Sequence, residues 1–189
     1  MVTTEQRPLR ADAQRNLERI TASARALFAQ HGTCTQMEDI AAHAGVGVGT
    51  LYRRFPTKES LLTALVRERF QEFTVIAVDV EATTEPADAL FTVMRRHAEA
   101  VEHDAAFQSA MMNLDSFSWE GIEDDKAALG EVLTRIIARA KKAGTLRKDF
   151  KFEEYGMLMC ANTATMYFIG DKGDWRRHLQ IVLDGLKPA

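Results

Sequence analysis

Residues 35–62 read TQMEDIAAHAGVGVGTLYRRFPTKESLL, and this stretch decides the fold. It predicts two short helices separated by the turn Ala-Gly-Val-Gly at residues 44–47, because glycine permits a sharp change of chain direction. We expect Thr35, followed three residues later by Glu38, to open the first helix as a capping box. Thr57 is placed to cap the helix after the second one. The pattern is typical of a helix-turn-helix.

The second of these helices is predicted to have an inner and an outer face. Leu51 and Phe55, four residues apart, are expected to pack against Ile40 of the first helix. The outer face combines small side chains, a tyrosine and two arginines: Val48, Gly49, Thr50, Tyr52, Arg53 and Arg54. Small residues let a helix approach the major groove of DNA, and arginine pairs with guanine or phosphate. Lys58, at the start of the next helix, is placed to contact a backbone phosphate. A simple solvated face is the alternative interpretation.

The sequence resembles the TetR family of transcriptional regulators over about residues 10–65. The resemblance is carried by residues of the first helix and of the helix-turn-helix: Arg15, Asn16, Phe28, Ala29, Gln30, His31, Gly32, Thr35, Ile40, Ala41, Ala44, Gly45, Val46, the run Gly49-Thr50-Leu51-Tyr52-Arg53-Arg54-Phe55, Lys58, Glu59, Leu61 and Leu62. Residues 10–16 and 46–49 also resemble members that are common in actinobacteria.

The resemblance implies a role for each matching residue. Contacts to DNA phosphates are implied for Thr35, Thr50, Tyr52, Arg54 and Lys58. Approach to base edges is implied for Val48, Gly49 and Arg53. Many family members have serine where this chain has Gly47, so a helix cap and a phosphate contact made by that serine are expected to be missing here.

The composition limits the class of protein. The chain has 189 residues and a formal net charge of −3, with no run of about 18 apolar residues such as a membrane helix needs. Its start is polar and lacks the apolar core of a secretory signal. Cys34 and Cys160 lie far apart, and these features together favour a reduced, cytoplasmic setting. Residues 1–60 carry a net charge of +2 and residues 61–189 one of −5, which suits a protein that offers one end to DNA.

Apolar residues recur every three to four positions along most of the chain, and this spacing predicts an all-α fold with about nine helices. The helices after the helix-turn-helix are expected at about residues 58–80, 87–103, 105–113, 123–143, 152–169 and 174–186, and one precedes it at about 11–31. We divide the chain into a three-helix DNA-binding domain, residues 1–57, and a helical ligand-binding and dimerisation domain, residues 58–189. The fourth helix bridges the two.

The second domain has no recognisable catalytic group of residues, so we expect no enzyme, no metal site and no cofactor. His97 and His103 lie six residues apart, which does not place them on one helical face. The domain is rich in methionine and aromatic residues, which line adaptable apolar pockets but also fill ordinary cores. The resemblance implies an inducer pocket, and its expected lining is Phe91, Met94, His97, Phe107, Met111, Trp119, Met159 and Thr163.

Two apolar stripes on the last two helices predict a homodimer interface, the place where TetR-like proteins dimerise. The expected interface residues are Leu158, Ala161, Thr165, Phe168, Trp175, Leu179, Val182 and Leu186. The alternative is that both stripes face the core of their own domain. Dimerisation suits the expected function, because one short recognition helix reads too few base pairs.

The sequence therefore predicts a repressor that a small molecule releases from a palindromic, double-stranded operator. Three alternatives stay open. The regulator lacks a small-molecule inducer and is constitutive or controlled by another protein; it activates transcription; or the body is a helical-bundle enzyme.

Overall fold

The protein is described by a computed structural model that covers residues 6–112 and 120–188. Within these ranges it forms nine α-helices and no strand, which confirms the all-α class: α1 Gln6–His31, α2 Met37–Ala44, α3 Val48–Arg54, α4 Lys58–Thr83, α5 Ala89–Val101, α6 Ala105–Met112, α7 Glu123–Lys142, α8 Phe152–Ile169 and α9 Trp175–Gly185. None of the helices described is both long and apolar enough to cross a membrane.

The first three helices and the start of α4 share one core. Leu51 of α3 and Phe55, which follows α3 directly, are buried together with Ile40 of α2, as predicted. Gly45 ends α2 in the left-handed conformation, with φ of 61°, and the guanidinium of Arg19 donates to its carbonyl oxygen at 3.2 Å. The hydrogen bond ties the turn of the helix-turn-helix to α1.

Thr35 does not form the predicted capping box. Its side chain is 2% exposed, and its hydroxyl donates to the carbonyl oxygens of Leu27 and Gly32 at 3.1 and 2.9 Å. The helix α2 begins at Met37 after Gln36, whose side chain makes no capping hydrogen bond. The predicted capping box is wrong because carbonyl groups at the end of α1 need a hydrogen-bond donor. The hydroxyl of Thr35 supplies that donor and so does not cap α2.

The predicted cap of α4 is confirmed. The Thr57 hydroxyl oxygen accepts the backbone N–H of Ser60 at 3.1 Å, and the Ser60 hydroxyl accepts the backbone N–H of Thr57 at 3.2 Å. Along α4, Leu61 and Leu65 belong to the core of the N-terminal part, whereas Val66 belongs to the core of the C-terminal part. The boundary between the two hydrophobic cores therefore lies inside α4, about two helical turns beyond residue 57.

A buried charge cluster holds the two parts together. One carboxylate oxygen of Asp104, just before α6, accepts from Arg25 of α1 at 2.7 Å and from two nitrogens of Arg69 of α4 at 2.6 and 3.0 Å. Its other oxygen accepts the backbone N–H of Phe107 at 3.0 Å and so caps α6. Asp104 thus joins α1, α4 and α6, and Arg25 adds a direct contact between α1 and α4 through the carboxylate of Glu68 at 3.1 Å.

Candidate functional site

The outer face of α3 is the first candidate site. Its exposed residues are Val48, Gly49, Tyr52, Arg53 and Arg54, and Thr50 is half-buried. A Cβ atom added at Gly49 would meet no protein atom within 4 Å, so the fold itself does not require glycine there. The absence of a side chain leaves the middle of this face open to a close approach. Gly47 precedes α3 and supplies no side-chain cap.

Two hydrogen bonds organise this face. The guanidinium of Arg53 donates to the Thr50 hydroxyl at 3.2 Å, and the Tyr52 hydroxyl donates to the carboxylate of Glu38 in α2 at 2.8 Å. The Glu38 contact raises the pKa of Tyr52. The pKa of Glu38 is lowered, first by a hydrogen bond to its own backbone and then by the Tyr52 hydroxyl. Glu38, expected only as part of a helix cap, therefore places a carboxylate against the tyrosine of this face.

Lys58 lies at the first residue of α4, beside this face. Its ammonium donates to the backbone carbonyl of Thr35 at 2.7 Å and lies 5.6 Å from the ring centroid of Phe28. The side chain of Thr35 is inaccessible, which corrects the expected phosphate contact by its hydroxyl. The backbone carbonyl of Thr35 instead holds the ammonium group of Lys58 at the N-terminus of α4. There the positive end of the helix dipole adds to the charge of the lysine.

The second candidate site is a cavity of about 810 Å³ in the C-terminal part. Five of the expected residues line it: His97, Phe107, Met111, Met159 and Thr163. Sequence reasoning missed most of the aromatic wall, which includes Phe70, Phe73, Phe152 and Tyr155. The pair on α4 carries the usable signal, because two phenylalanines three residues apart mark one face of that helix.

Three expected pocket residues are not placed on the cavity. Phe91 and Met94 are buried in the core and do not line it. They lie in the N-terminal half of α5, whereas the cavity meets α5 only at His97 and Val101, in its C-terminal half. Position along the helix axis, which hydrophobic spacing does not report, decides the difference. Trp119 lies outside the described residues.

A hydrogen-bonded polar group lies in the cavity wall. His97 Nε2 is 2.9 Å from the backbone carbonyl oxygen of Phe73, and the Tyr155 hydroxyl is 2.6 Å from His97 Nδ1. The imidazole also stacks on the Phe73 ring, with centroids 4.5 Å apart. Burial lowers the pKa of His97 to about 4 and raises the pKa of Tyr155. Both groups are therefore neutral at physiological pH, and they join α4, α5 and α8.

The cavity opens along the outer side of α8. Met157 and Phe168 line it and are 70% and 72% exposed. Two charged residues of the wall, Lys126 and Glu153, are exposed as well, which places them at the mouth. Among the residues that the structure describes, the interior wall is therefore apolar apart from its hydroxyls and the neutral imidazole.

The expected dimer residues divide into two groups. Ala161 and Phe168 are exposed, and Leu158, Thr165 and Val182 are half-buried. Trp175, Leu179 and Leu186 are buried in the core of their own domain, which corrects their assignment to an interface. The apolar stripe of α9 closes that core, so a partner cannot reach it. The exposed apolar residues that α8 and α9 do offer include three that sequence reasoning missed: Met157, Tyr167 and Ile181.

Two family matches cover most of the chain. The family described as "Bacterial regulatory proteins, tetR family" matches residues 20–65. The family described as "Transcriptional regulator SbtR-like, C-terminal domain" matches residues 85–188. The first range contains the helix-turn-helix, and the second contains α5 to α9 with most of the cavity wall.

Individual relatives give the same result. The HTH-type transcriptional repressor KstR of Rhodococcus jostii (strain RHA1) is 27% identical over 105 residues, which are 56% of this chain and 49% of that protein. The chain thus matches about half the length of this curated relative. The crystal structure of a TetR transcription regulatory protein from Mycobacterium vanbaalenii is 31% identical, covers 96% of this chain and 100% of that chain, and has a TM-score of 0.66.

A more distant structure shows the shared fold. The transcriptional regulator FadR from Bacillus subtilis, crystallised in complex with stearoyl-CoA, is 20% identical and has a TM-score of 0.70, with 88% of this chain and 95% of that chain covered. Because the match over residues 85–188 alone spans more than half of the sequence and the other match contains the helix-turn-helix, the chain belongs to the TetR family of bacterial transcriptional regulators.

Proposed function

We propose that this protein is a homodimeric repressor that a large apolar molecule releases from a palindromic operator. The observation that carries the proposal is the path of α4. Its first residue is Lys58, at the candidate DNA face, and its residues Phe70 and Phe73 line the cavity. One helix therefore connects the two sites over about 22 Å, at 1.5 Å per residue.

In this proposal α3 enters the major groove. Its small residues and one arginine approach the base edges: Val48, Gly49 and Arg53. The phosphates are bound by side chains around that helix: Thr50, Tyr52, Arg54 and Lys58. The exposure of most of this set, with Thr50 and Lys58 half-buried, and the open space at Gly49 support the assignment. The DNA-binding unit is residues 1–57 together with the first two turns of α4, whose Leu61 and Leu65 complete its core.

Dimerisation follows from the size of α3, because a seven-residue helix reads few base pairs and a two-fold axis doubles the site. The outer side of α8 is the proposed interface. Ala161 and Phe168 lie on it, and Ile181 of α9 adds another exposed apolar side chain. Apolar area of this kind is what a stable homodimer buries.

Release is proposed to use two connections between cavity and DNA face. A ligand that displaces Phe70 and Phe73 tilts α4, and one that displaces Phe107 moves α6 and thereby Asp104, which binds Arg25 of α1. Either movement changes the separation of the two recognition helices. Ligand and operator then weaken each other's binding by the same factor, because the coupling is thermodynamically reciprocal.

The cavity favours a ligand-responsive regulator over a constitutive one. Its volume lies within the usual range for small-molecule sites, and its interior has few polar groups. FadR, which shares the fold, holds stearoyl-CoA in its crystal structure. A regulator without an effector has no need for such a space, whose lining loses packing contacts when it is empty.

Selection of bound fragments from genomic DNA by the purified protein, at a stated salt concentration, tests the DNA part. We expect enrichment of a palindromic site and loss of that enrichment in Tyr52→Ala and Lys58→Ala. Weak binding that is indifferent to sequence would contradict the proposal. For the ligand part, the affinity of an apolar ligand is measured with and without operator DNA, and equal affinities would contradict reciprocal release.

A further inference from the structure

The buried polar side chains that the structure describes in the cavity wall all use their hydrogen-bond donors within the protein. Among the described residues, the buried polar side chains of the wall are His97, Tyr155 and Thr163. Each of them makes a hydrogen bond within the protein. The direction of those bonds decides what the groups still offer to a ligand.

His97 fixes the direction of the first chain of hydrogen bonds. The carbonyl oxygen of Phe73 can only accept, so His97 Nε2, 2.9 Å away, must carry the proton. The imidazole is neutral because burial lowers the pKa of His97 to about 4, so Nδ1 has no proton and must accept. The Tyr155 hydroxyl, 2.6 Å from Nδ1, is therefore the donor. Its oxygen keeps only acceptor capacity.

Thr163 shows the same polarity. Its hydroxyl donates to the backbone carbonyl of Met159 at 2.9 Å, one helical turn earlier in α8. The Thr163 oxygen is therefore also left as an acceptor. The remaining polar side chains of the described wall, Lys126, Glu153 and Cys160, are exposed, so they serve the mouth of the cavity and not its interior.

We propose that the interior of this cavity selects large apolar ligands that carry a hydroxyl group, and that it rejects the ketone of the same skeleton. The inference rests on the proposed function, because it assumes that the cavity is the effector site. A ligand hydroxyl donates to the oxygen of Tyr155 or Thr163 without disturbing either chain. A ketone oxygen can only accept, so it finds a donor only if Tyr155 releases His97 and leaves Nδ1 buried without one, or if Thr163 releases the carbonyl of Met159.

The test uses an alcohol and a ketone that differ only in that group, 5α-cholestan-3β-ol and 5α-cholestan-3-one, with 2-octadecanol and 2-octadecanone as a flexible second pair. Each competes with the neutral dye Nile red for the full-length protein. We expect the alcohol of each pair to bind about tenfold more tightly than its ketone, since one buried hydrogen bond is gained and none is lost. Equal binding, or tighter binding of the ketone, would overturn the inference.

Two variants are expected to differ in the ratio of alcohol affinity to ketone affinity. His97→Phe keeps an aromatic ring on Phe73 and frees the Tyr155 hydroxyl proton, so the ketone gains affinity and the tenfold ratio falls toward one. Tyr155→Phe exposes Nδ1 of His97, which is also an acceptor, so the preference for the alcohol persists. Thr134→Val is the matched control: the Thr134 hydroxyl makes the same kind of hydrogen bond, to the carbonyl oxygen of Gly130 at 2.7 Å, but does not line the cavity, so the ratio stays in place. An unchanged ratio in His97→Phe, with dye binding intact, would contradict the direction assigned to the chain.

The same measurements separate this inference from the proposed function. If alcohol and ketone bind equally and both release operator DNA, the selection for a donor is wrong and the effector site stands. If Nile red and all four probes fail to bind, both proposals are wrong. The wild-type ratio alone decides the selection, so the result does not depend on the folding of any variant.

Discussion

Glu38 is the residue on the DNA face whose charge opposes the proposed function. Its carboxylate accepts from Tyr52 and places a negative charge where phosphate is expected to bind. Glu38→Gln removes this charge and should strengthen operator binding about three- to tenfold at low salt, with a smaller gain at high salt because the effect is electrostatic. Fluorescence anisotropy with labelled operator measures it.

Asp39→Asn is the matched control for that change, because it removes the same charge from the neighbouring position of α2, which is also exposed. We expect a clearly smaller gain for Asp39→Asn. If the two variants gained equally, the effect would be one of net charge, and the contact between Glu38 and Tyr52 would have no specific part in it.

Substitutions at two glycines with positive φ distinguish the effect of backbone strain from the effect of a side-chain contact. Gly32 and Gly45 have φ of 56° and 61°, but a Cβ atom at Gly32 meets nothing within 4 Å, whereas one at Gly45 lies 2.5 Å from Arg19 Nη2. Each substitution by alanine should cost about 1 kcal/mol of unfolding free energy through its backbone. Gly45→Ala should cost about 1 kcal/mol more, because Arg19 must abandon its hydrogen bond.

Urea denaturation of the two alanine variants checks this prediction, and Arg19→Ala provides the background for it. In that background the difference between Gly32→Ala and Gly45→Ala should disappear. A difference that persists would show that something other than Arg19 opposes a side chain at Gly45.

At the scale of elements, the helices could be predicted from sequence but their mutual placement could not. The predicted range 152–169 coincides with α8, because apolar spacing and flanking glycines are local signals. The stripes of α8 and α9 have similar spacing, yet Leu179 is buried and Phe168 is exposed. Which stripe faces the core depends on how the helices are packed, and the spacing of apolar residues does not report that packing.

In the candidate sites, too, features that local sequence signals determine could be predicted, and features that depend on the placement of the helices could not. The outer face of α3 was predictable because Leu51 and Phe55 define its inner face. The role of Thr35 was not, because it depends on the short 3-10 helix Gly32–Cys34 that ends α1. Phe91 and Met94 are apolar like the residues of the pocket, but they lie too near the N-terminus of α5 to reach the cavity.

Asp104 is the buried carboxylate that Arg25 and Arg69 share at the joint of α1, α4 and α6. Asp104→Asn removes the counter-charge that Arg25 and Arg69 share, and leaves the buried Arg69 with only the more exposed carboxylate of Glu72. We expect a loss of about 3 to 5 kcal/mol of unfolding free energy, typical of breaking a buried ion pair. Removing the exposed partner of another pair, in Arg67→Ala, should cost less than about 1 kcal/mol. Comparable losses in urea denaturation would contradict this description of the joint.

The stability of the whole molecule should depend on pH through His97. Burial lowers its pKa from 6.5 to about 4 in the folded protein, so the unfolded chain binds the proton at a higher pH. Stability contributed by neutral His97 is therefore present above pH 6.5 and is lost as the pH falls to about 4, by up to about 3 kcal/mol. His97→Gln should flatten this part of the curve, and His103→Gln, at an exposed position, should not. Urea denaturation between pH 7.5 and 4 compares the three proteins.

The proposed function requires two copies of the chain, joined through α8. Phe168 of α8 is 72% exposed, and a charge there would be buried without a partner if α8 forms the interface. We expect Phe168→Glu to be monomeric by sedimentation and to bind a palindromic operator at least 100-fold more weakly, because only one half-site is then read. Ile181→Glu on α9 should weaken the dimer in the same direction without changing the cavity wall.

Val75→Glu is the matched control, since Val75 of α4 is 68% exposed and does not lie on α8 or α9. A dimeric Phe168→Glu protein with unchanged operator affinity would place the interface elsewhere, and equal losses in Val75→Glu would mean that the added charge and not its position is responsible.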